Sequence, residues 1–144
     1  MSRGEIEDTM ATMAKMDSPM EDPMPHRMAE VVALKTGQFK DADRAHRGSG
    51  TATIYRLPDG SHMLRLEILK VTNGPALVII LSPHPNPDNS GQVRQEGHVE
   101  LAKLKGNIGN QNYPLPDGVD PCSFNSVIIY CKPFKVIFSI VPLS

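Results

Sequence analysis

The chain has 144 residues, which is enough for one domain of ordinary size and too few for two. Fifteen Lys and Arg residues nearly balance sixteen Asp and Glu residues, so the composition argues against nucleic-acid binding, which normally requires clustered positive charge. No apolar run approaches the roughly 20 residues of a membrane-spanning helix, and the N-terminus lacks the basic start and apolar stretch of a signal peptide.

Residues 1–35 are predicted to form a flexible, acidic, methionine-rich leader. Residues 1–30 hold seven acidic residues against three basic ones. Pro19, Pro23 and Pro25 disfavour helix around them, so we expect at most a short helix over residues 4–17.

The sulfur atoms of the leader suggest a copper site. Thioethers are soft ligands suited to Cu(I). The alternative is a disordered or docking segment in which methionine supplies adaptable apolar contacts. The candidate copper ligands are Met10, Met13, Met16, Met20, Met24, His26 and Met28.

From residue 36 onward the pattern is that of β-structure. Residues 51–57 and 62–68 flank the turn Pro58-Asp59-Gly60 and predict a hairpin in which Leu64, Leu66 and Ile68 share the core face. The turn Asn73-Gly74-Pro75 then leads into residues 76–82, whose continuous apolar character predicts a central strand covered on both faces.

The remaining chain alternates between loops and strands. The proline-rich residues 83–91 and the Asn/Gly-rich residues 106–113 are predicted loops, with a short strand around 99–101 between them. Two strong runs at 127–132 and 134–140 are predicted strands, the second with Phe134, Val136, Phe138 and Ile140 on one face. Seven or eight short strands, with no helix after residue 30, predict a single antiparallel β-sandwich or flattened barrel over residues 36–144.

Several short sequence segments, in their order along the chain, resemble the DM-thirteen domain family over roughly residues 36–143. The resemblance implies an electron-transfer domain of an exported or cell-envelope protein that works with a redox partner protein. It also implies that Cys131 acts as a bare thiol or as a ligand to a prosthetic group, which could be a haem or copper. The strings that carry it are GQF at 37–39, His46, SGTAT at 49–53, LRLE at 64–67, NGPAL at 73–77, GNIGNQNY at 106–113 and VIIYCKPF at 127–134.

The residue pattern by itself leaves two roles open for Cys131. Its side chain is expected on the same face as Val127 and Ile129, where a buried cysteine often packs as a small hydrophobe. Lys132 is expected on the opposite face, poorly placed to activate the thiol. A disulfide between Cys122 and Cys131 is not expected, because an extended strand would hold the two α-carbons too far apart. Cys122 is instead predicted to be an exposed, reactive thiol.

The sequence gives little support for other cofactor sites or for an enzyme active site. His46 stands at a family-like position and is the second candidate cofactor-binding residue, although a histidine hydrogen-bonded at a strand entry is the alternative. The sequence has no nucleophile elbow, P-loop or dinucleotide fingerprint, so an enzyme is not favoured. The leading hypothesis is a redox module based on Cys131. The alternatives are a non-catalytic module that binds a partner through the 83–91 and 106–113 loops, and copper binding by the leader.

Overall fold

A computed structural model describes residues 17–144 as two antiparallel sheets that share a core. The four-stranded sheet has the order β1-β3-β4-β7, and the five-stranded sheet has the order β2-β9-β8-β5-β6. This arrangement confirms the predicted all-β sandwich. In chain order the strands are β1 (Val32–Gln38), β2 (Lys40–Asp41), β3 (Gly48–Arg56), β4 (His62–Val71), β5 (Leu77–Ser82), β6 (Val99–Lys103), β7 (Ile108–Pro114), β8 (Ser126–Cys131) and β9 (Val136–Pro142).

Among residues 17–144, helical structure is confined to single turns. One α-helical turn, α1 (Ser90–Val93), lies in the loop after β5, and 3₁₀ turns cover Met28–Glu30 and Pro121–Ser123. The sequence predicted no helix after residue 30, and α1 corrects that prediction. The turn forms because the Asn89 side chain caps it by accepting from the Gln92 amide at 2.9 Å, while Val93 is buried.

The predicted hairpin is confirmed, with β3 and β4 paired so that Tyr55 lies opposite Met63. Leu64 and Leu66 are buried as expected, but Ile68 is 80% exposed. A β-bulge interrupts the pairing of β4 with β7 after Leu66, and Ile68 adopts a φ of 53° there. The extra residue shifts the alternation, so Leu69 takes the core position that was predicted for Ile68.

Strands β5 and β8 form the interior of the five-stranded sheet, and every residue of both is buried. The prediction for the last strand is partly wrong. Phe134 is exposed in the turn before β9, and Ile140 faces the smaller apolar cluster with Ile137, while Phe138 packs in the main core. The pairing passes from Ile129–Ser139 to Tyr130–Ile137, so Phe138 is an extra residue that reverses the faces beyond it.

Residues 17–24, which the sequence assigned to the leader, lie along the edge of β7. The Met20 amide donates to the Ile108 carbonyl and the Asp22 amide to the Asn110 carbonyl, both at 2.8 Å. The predicted 106–113 loop is therefore wrong, because residues 108–114 are a strand with partners on both sides. The polar residues of β7 form hydrogen bonds with residues 17–24. The alternation of polar and apolar residues in the sequence does not reveal this pairing.

Two further observations concern the N-terminal part. Strand β1 begins at Val32, four residues before the predicted start of the domain at residue 36. The predicted helix over 4–17 falls, apart from Asp17, outside the described residues, as do Met10, Met13 and Met16. Within residues 17–144 no helix has both the length and the apolar character that a bilayer crossing requires.

Candidate functional site

Cys131 is the last residue of β8 and is 1% exposed. It pairs with Leu77 of β5 on one side and with Val136 of β9 on the other. Its side chain packs in the main core together with Val127 and Ile129, which confirms the predicted shared face and the predicted burial. The sulfur is therefore held by apolar neighbours at one end of the five-stranded sheet.

The thiol makes one polar contact, which the turn before β5 supplies. Cys131 Sγ donates to the Pro75 carbonyl oxygen at 3.2 Å, so the bond requires a proton on sulfur. The turn places proline before Ala76, which has a φ of 50°. A left-handed backbone is strained for alanine, and such strain is concentrated where the surrounding structure or the function requires it. The strained turn orients the Pro75 carbonyl toward the sulfur.

Cys122 differs from Cys131 in its exposure and its surroundings. It lies in the 3₁₀ turn Pro121–Ser123, is exposed, and its amide donates to Asp120 Oδ1 at 2.9 Å. Both cysteines are free, so the predictions of an exposed Cys122 and of no bridge between the two are confirmed. Cys122 provides an internal reference for any measurement on Cys131.

Lys132 follows Cys131 directly and faces away from it, as predicted. Its Nζ lies 3.0 Å from Glu100 Oε1 on β6, which is separated from β8 by β5, and more than half of its side chain is exposed. The lysine charge is therefore directed to an ion pair at the surface, and not to the thiol.

His46 lies at the same end of the sandwich, in the loop between β2 and β3. Its Nδ1 is 2.8 and 2.9 Å from the two carboxylate oxygens of Asp43, and this hydrogen bond lowers the pKa of Asp43. Its ring centroid is 4.4 Å from that of Phe138. The Phe138 ring also fills the space beside Gly74, where an added Cβ would be 2.6 Å from two ring carbons.

These contacts relate the two candidate cofactor-binding residues to one another. His46 touches Phe138, Phe138 touches Gly74, and the carbonyl of the next residue, Pro75, accepts from Cys131. His46 and Cys131 are linked only through this series of contacts, because among residues 17–144 no hydrogen bond or ring contact joins them directly. One sequence feature could have indicated that His46 and Cys131 are connected. It is Gly74, because the absence of a side chain there leaves room for the Phe138 ring.

A metal or haem held by Cys131 needs further ligands or an open face at the sulfur. Within the described part of the chain, no three His, Cys, Asp or Glu side chains form a group that could hold a metal ion. The neighbours of the sulfur are apolar and its residue is 1% exposed. The arrangement does not fit a cofactor bound at this sulfur.

The described leader residues have separate environments. Met24 packs against the small apolar cluster of Val31, Tyr55 and Met63, while Met28 is 63% exposed. His26 Nδ1 is 3.8 Å from Glu30 Oε2. Copper binding by the leader stays a prediction, since three of its candidate ligands lie outside the described residues.

A cleft of about 480 Å³ opens beside Cys131. The residues on both sides of the thiol contact form its wall: Gly74 and Ala76 flank Pro75, Leu77 pairs with Cys131, and Lys132 follows it. Ser18 of the N-terminal segment closes the opposite side. Sequence reasoning missed this cleft because its walls come from four separate parts of the chain.

The wall of the cleft near Lys105 is organised by polar contacts. Lys105 forms an ion pair with Asp22 and lies 4.9 Å above the ring of the buried Tyr113. The hydrogen bond from Lys105, followed by that from the Asn112 amide, lowers the pKa of Asp22. Burial raises the pKa of Tyr113 to about 12. These groups fix the N-terminal segment beside the cleft.

Comparison with known proteins adds one finding. A family model described as Electron transfer DM13 matches residues 38–143, from the end of β1 through β9. No curated protein and no solved structure matches the chain. The matched range contains His46, the turn at 73–76, Cys131 and most of the cleft.

Proposed function

The chain belongs to the DM13 family of electron-transfer domains, whose model spans about three quarters of it, and we propose that Cys131 is its redox group. The observation that carries this proposal is the position of the thiol. It is buried and hydrogen-bonded, and it lies directly behind the wall of the cleft of about 480 Å³.

Burial favours one type of redox chemistry over another. Thiol–disulfide exchange requires a sulfur that a second sulfur can approach, and its rate depends on access. Cys131 is 1% exposed, whereas Cys122 is exposed. An electron can leave a group that is covered by one layer of packed side chains, and the same layer protects the oxidised sulfur from side reactions with solvent.

The step is a coupled loss of one electron and one proton. The S–H bond of Cys131 breaks, the electron passes to a strong one-electron oxidant such as a high-valent haem iron on a partner protein, and the proton passes by way of the Pro75 carbonyl, which accepts its hydrogen bond, to water. The product is a sulfur radical that returns to the thiol when a donor supplies an electron and water supplies a proton. No further co-reactant is required.

The surrounding residues act by position. The Pro75 carbonyl holds the S–H in one orientation, and Leu77 and Val136 cover the sulfur on its two sides. His46 is a positioning residue, because it supports Phe138, which packs on the turn that carries Pro75. The partner approaches at the end of the sandwich where these loops meet.

The experiment compares single-cysteine variants in titrations with a graded series of one-electron oxidants. Cys122→Ser keeps Cys131 as the only cysteine, and the double variant Cys122→Ser/Cys131→Ser is the matched control, since serine can still donate to Pro75. We expect Cys122→Ser to give up one more electron equivalent than the double variant. Equal numbers of equivalents at every oxidant strength would contradict the proposal.

A second measurement identifies which residue is oxidised. Peptide mass analysis after oxidation and trapping with a radical-reactive nitrone should place the adduct on Cys131. An adduct confined to the tyrosines, with Cys131 unmodified, would assign the electron to another group and would also contradict the proposal.

A further inference from the structure

The cleft beside Cys131 has the size and lining of a small-molecule site. Its volume of about 480 Å³ falls within the range typical of ligand pockets. Its apolar wall is formed by Ala76, Leu77, Val78, Leu104 and Pro133. Leu77 and Val78 are 6% and 5% exposed, so the floor is made of well-packed strand β5 and is preformed.

Positive charge surrounds this apolar floor. Three lysines line the cleft, Lys103, Lys105 and Lys132, and Glu100 is the one acidic residue among the lining residues. Glu100 is engaged by Lys132, and Lys105 is engaged by Asp22. Within residues 17–144, no ion pair or side-chain hydrogen bond engages Lys103, whose ammonium group is available at the rim.

The backbone of the wall is also unusual. Ala76 lines the cleft with a φ of 50°, in a chain where only two other non-glycine described residues have positive φ. An alanine in this conformation is strained, and the strain gives a reason to look for function at the turn. Here it places a small side chain at the mouth of the cleft, where a larger one would reduce the open volume.

We propose that this cleft binds a small organic anion with a flat or branched apolar body and one carboxylate or sulfonate group. The apolar body lies on Leu77, Val78 and Leu104, and the acid group lies at Lys103. The proposal goes beyond the redox function, because it requires only the cleft and holds whether or not Cys131 transfers electrons.

The size of the effect follows from the exposure of the charge. A partly exposed ion pair contributes up to about 1 kcal/mol, which corresponds to a roughly fivefold change in the dissociation constant. Replacement of Lys103 should therefore weaken binding of an anion about threefold to fivefold, and should leave a neutral compound of the same shape nearly unaffected.

The probe is 8-anilinonaphthalene-1-sulfonate, and the neutral N-phenyl-1-naphthylamine is its matched control. Binding to the full chain is followed by fluorescence and by amide chemical shifts. We expect one molecule per chain, with shift changes confined to the residues that line the cleft, which are Ser18, Glu100 and residues 73–78, 103–107 and 132–133. The sulfonate should bind more tightly than the neutral compound.

Variants complete the test. Lys103→Met should weaken binding of the sulfonate threefold to fivefold. Lys70→Met, which replaces an exposed lysine of β4 that does not line the cleft, should change it less than twofold. Cys131→Ser should bind like the unmodified chain, which separates this proposal from the redox function. Shift changes outside the cleft, equal effects of the two lysine variants, or no saturable binding would each overturn it.

Discussion

The two sheets of this protein are stabilised by different kinds of contact. In the five-stranded sheet, β5 and β8 are buried along their whole length, and the stabilisation comes from apolar packing on both faces. In the four-stranded sheet, the β7 edge is covered by residues 17–24 through backbone and amide hydrogen bonds. A defect in the first sheet should therefore destabilise the whole domain, and a defect in the second should release one segment.

The largest effect is expected at the centre of the five-stranded sheet. Ile129→Ala removes a fully buried side chain next to Cys131 in the core, and should lower the free energy of unfolding by about 3 to 4 kcal/mol. Urea denaturation measures this loss. Ile68→Ala at the exposed bulge is the control and should change stability by less than about 0.5 kcal/mol. Similar losses at the two positions would refute the packing argument.

The seam between β7 and the N-terminal segment depends on a close backbone approach at Gly109. An added Cβ there would lie 1.9 Å from the Met20 carbonyl oxygen, and the φ of +109° is unfavourable for alanine. Gly109→Ala should cost about 2 kcal/mol and should speed hydrogen exchange at the Met20 and Asp22 amides. Gly60→Ala, with a φ of +88° and open space around it, carries backbone strain without the clash. If Gly60→Ala also speeded hydrogen exchange at the Met20 and Asp22 amides, the clash at Gly109 would not explain the faster exchange.

The ionic part of the seam predicts a dependence on pH. The pKa of Asp22 is lowered in the folded state, chiefly by the hydrogen bond from Lys105. The carboxylate therefore stabilises the fold fully above its ordinary pKa of 3.8, and this effect is lost as the pH falls from that value through the lowered pKa of the folded state. Asp22→Asn should lower the free energy of unfolding by about 1 kcal/mol or less at pH 7. The difference between the two proteins should shrink as the pH falls below 3.8 and disappear once the pH lies below the lowered pKa of the folded state. A difference that grows in acid would contradict the assignment.

The smallest effect is expected at the strained turn beside Cys131. Ala76→Gly removes the penalty of a left-handed alanine but adds backbone freedom to the unfolded chain, so the gain in stability should be under about 1 kcal/mol. Thermal denaturation measures it, with Ala45→Gly in an exposed loop as a control for the added backbone freedom. A clear loss of stability at position 76 would show that the turn is not strained.

The difference between the sheets also explains what the sequence could predict. The apolar runs at 76–82 and 127–132 report burial directly, and Cys131 could be placed on the core face because it alternates with Val127 and Ile129. The faces of Ile68 and Ile140 were wrong because a bulge adds one residue to the alternation, and bulges are set by the partner strand. The β7 seam was missed because its asparagines bond to residues about 90 positions away, a relation that local patterns do not contain.

The most direct test of the account is protein-film voltammetry of Cys122→Ser beside the Cys122→Ser/Cys131→Ser double variant. Cys122→Ser alone should give a one-electron wave, with a potential that falls by about 59 mV per pH unit because one proton leaves with each electron. The same wave in both variants, or no wave in either, would contradict the assignment of Cys131 as the redox group.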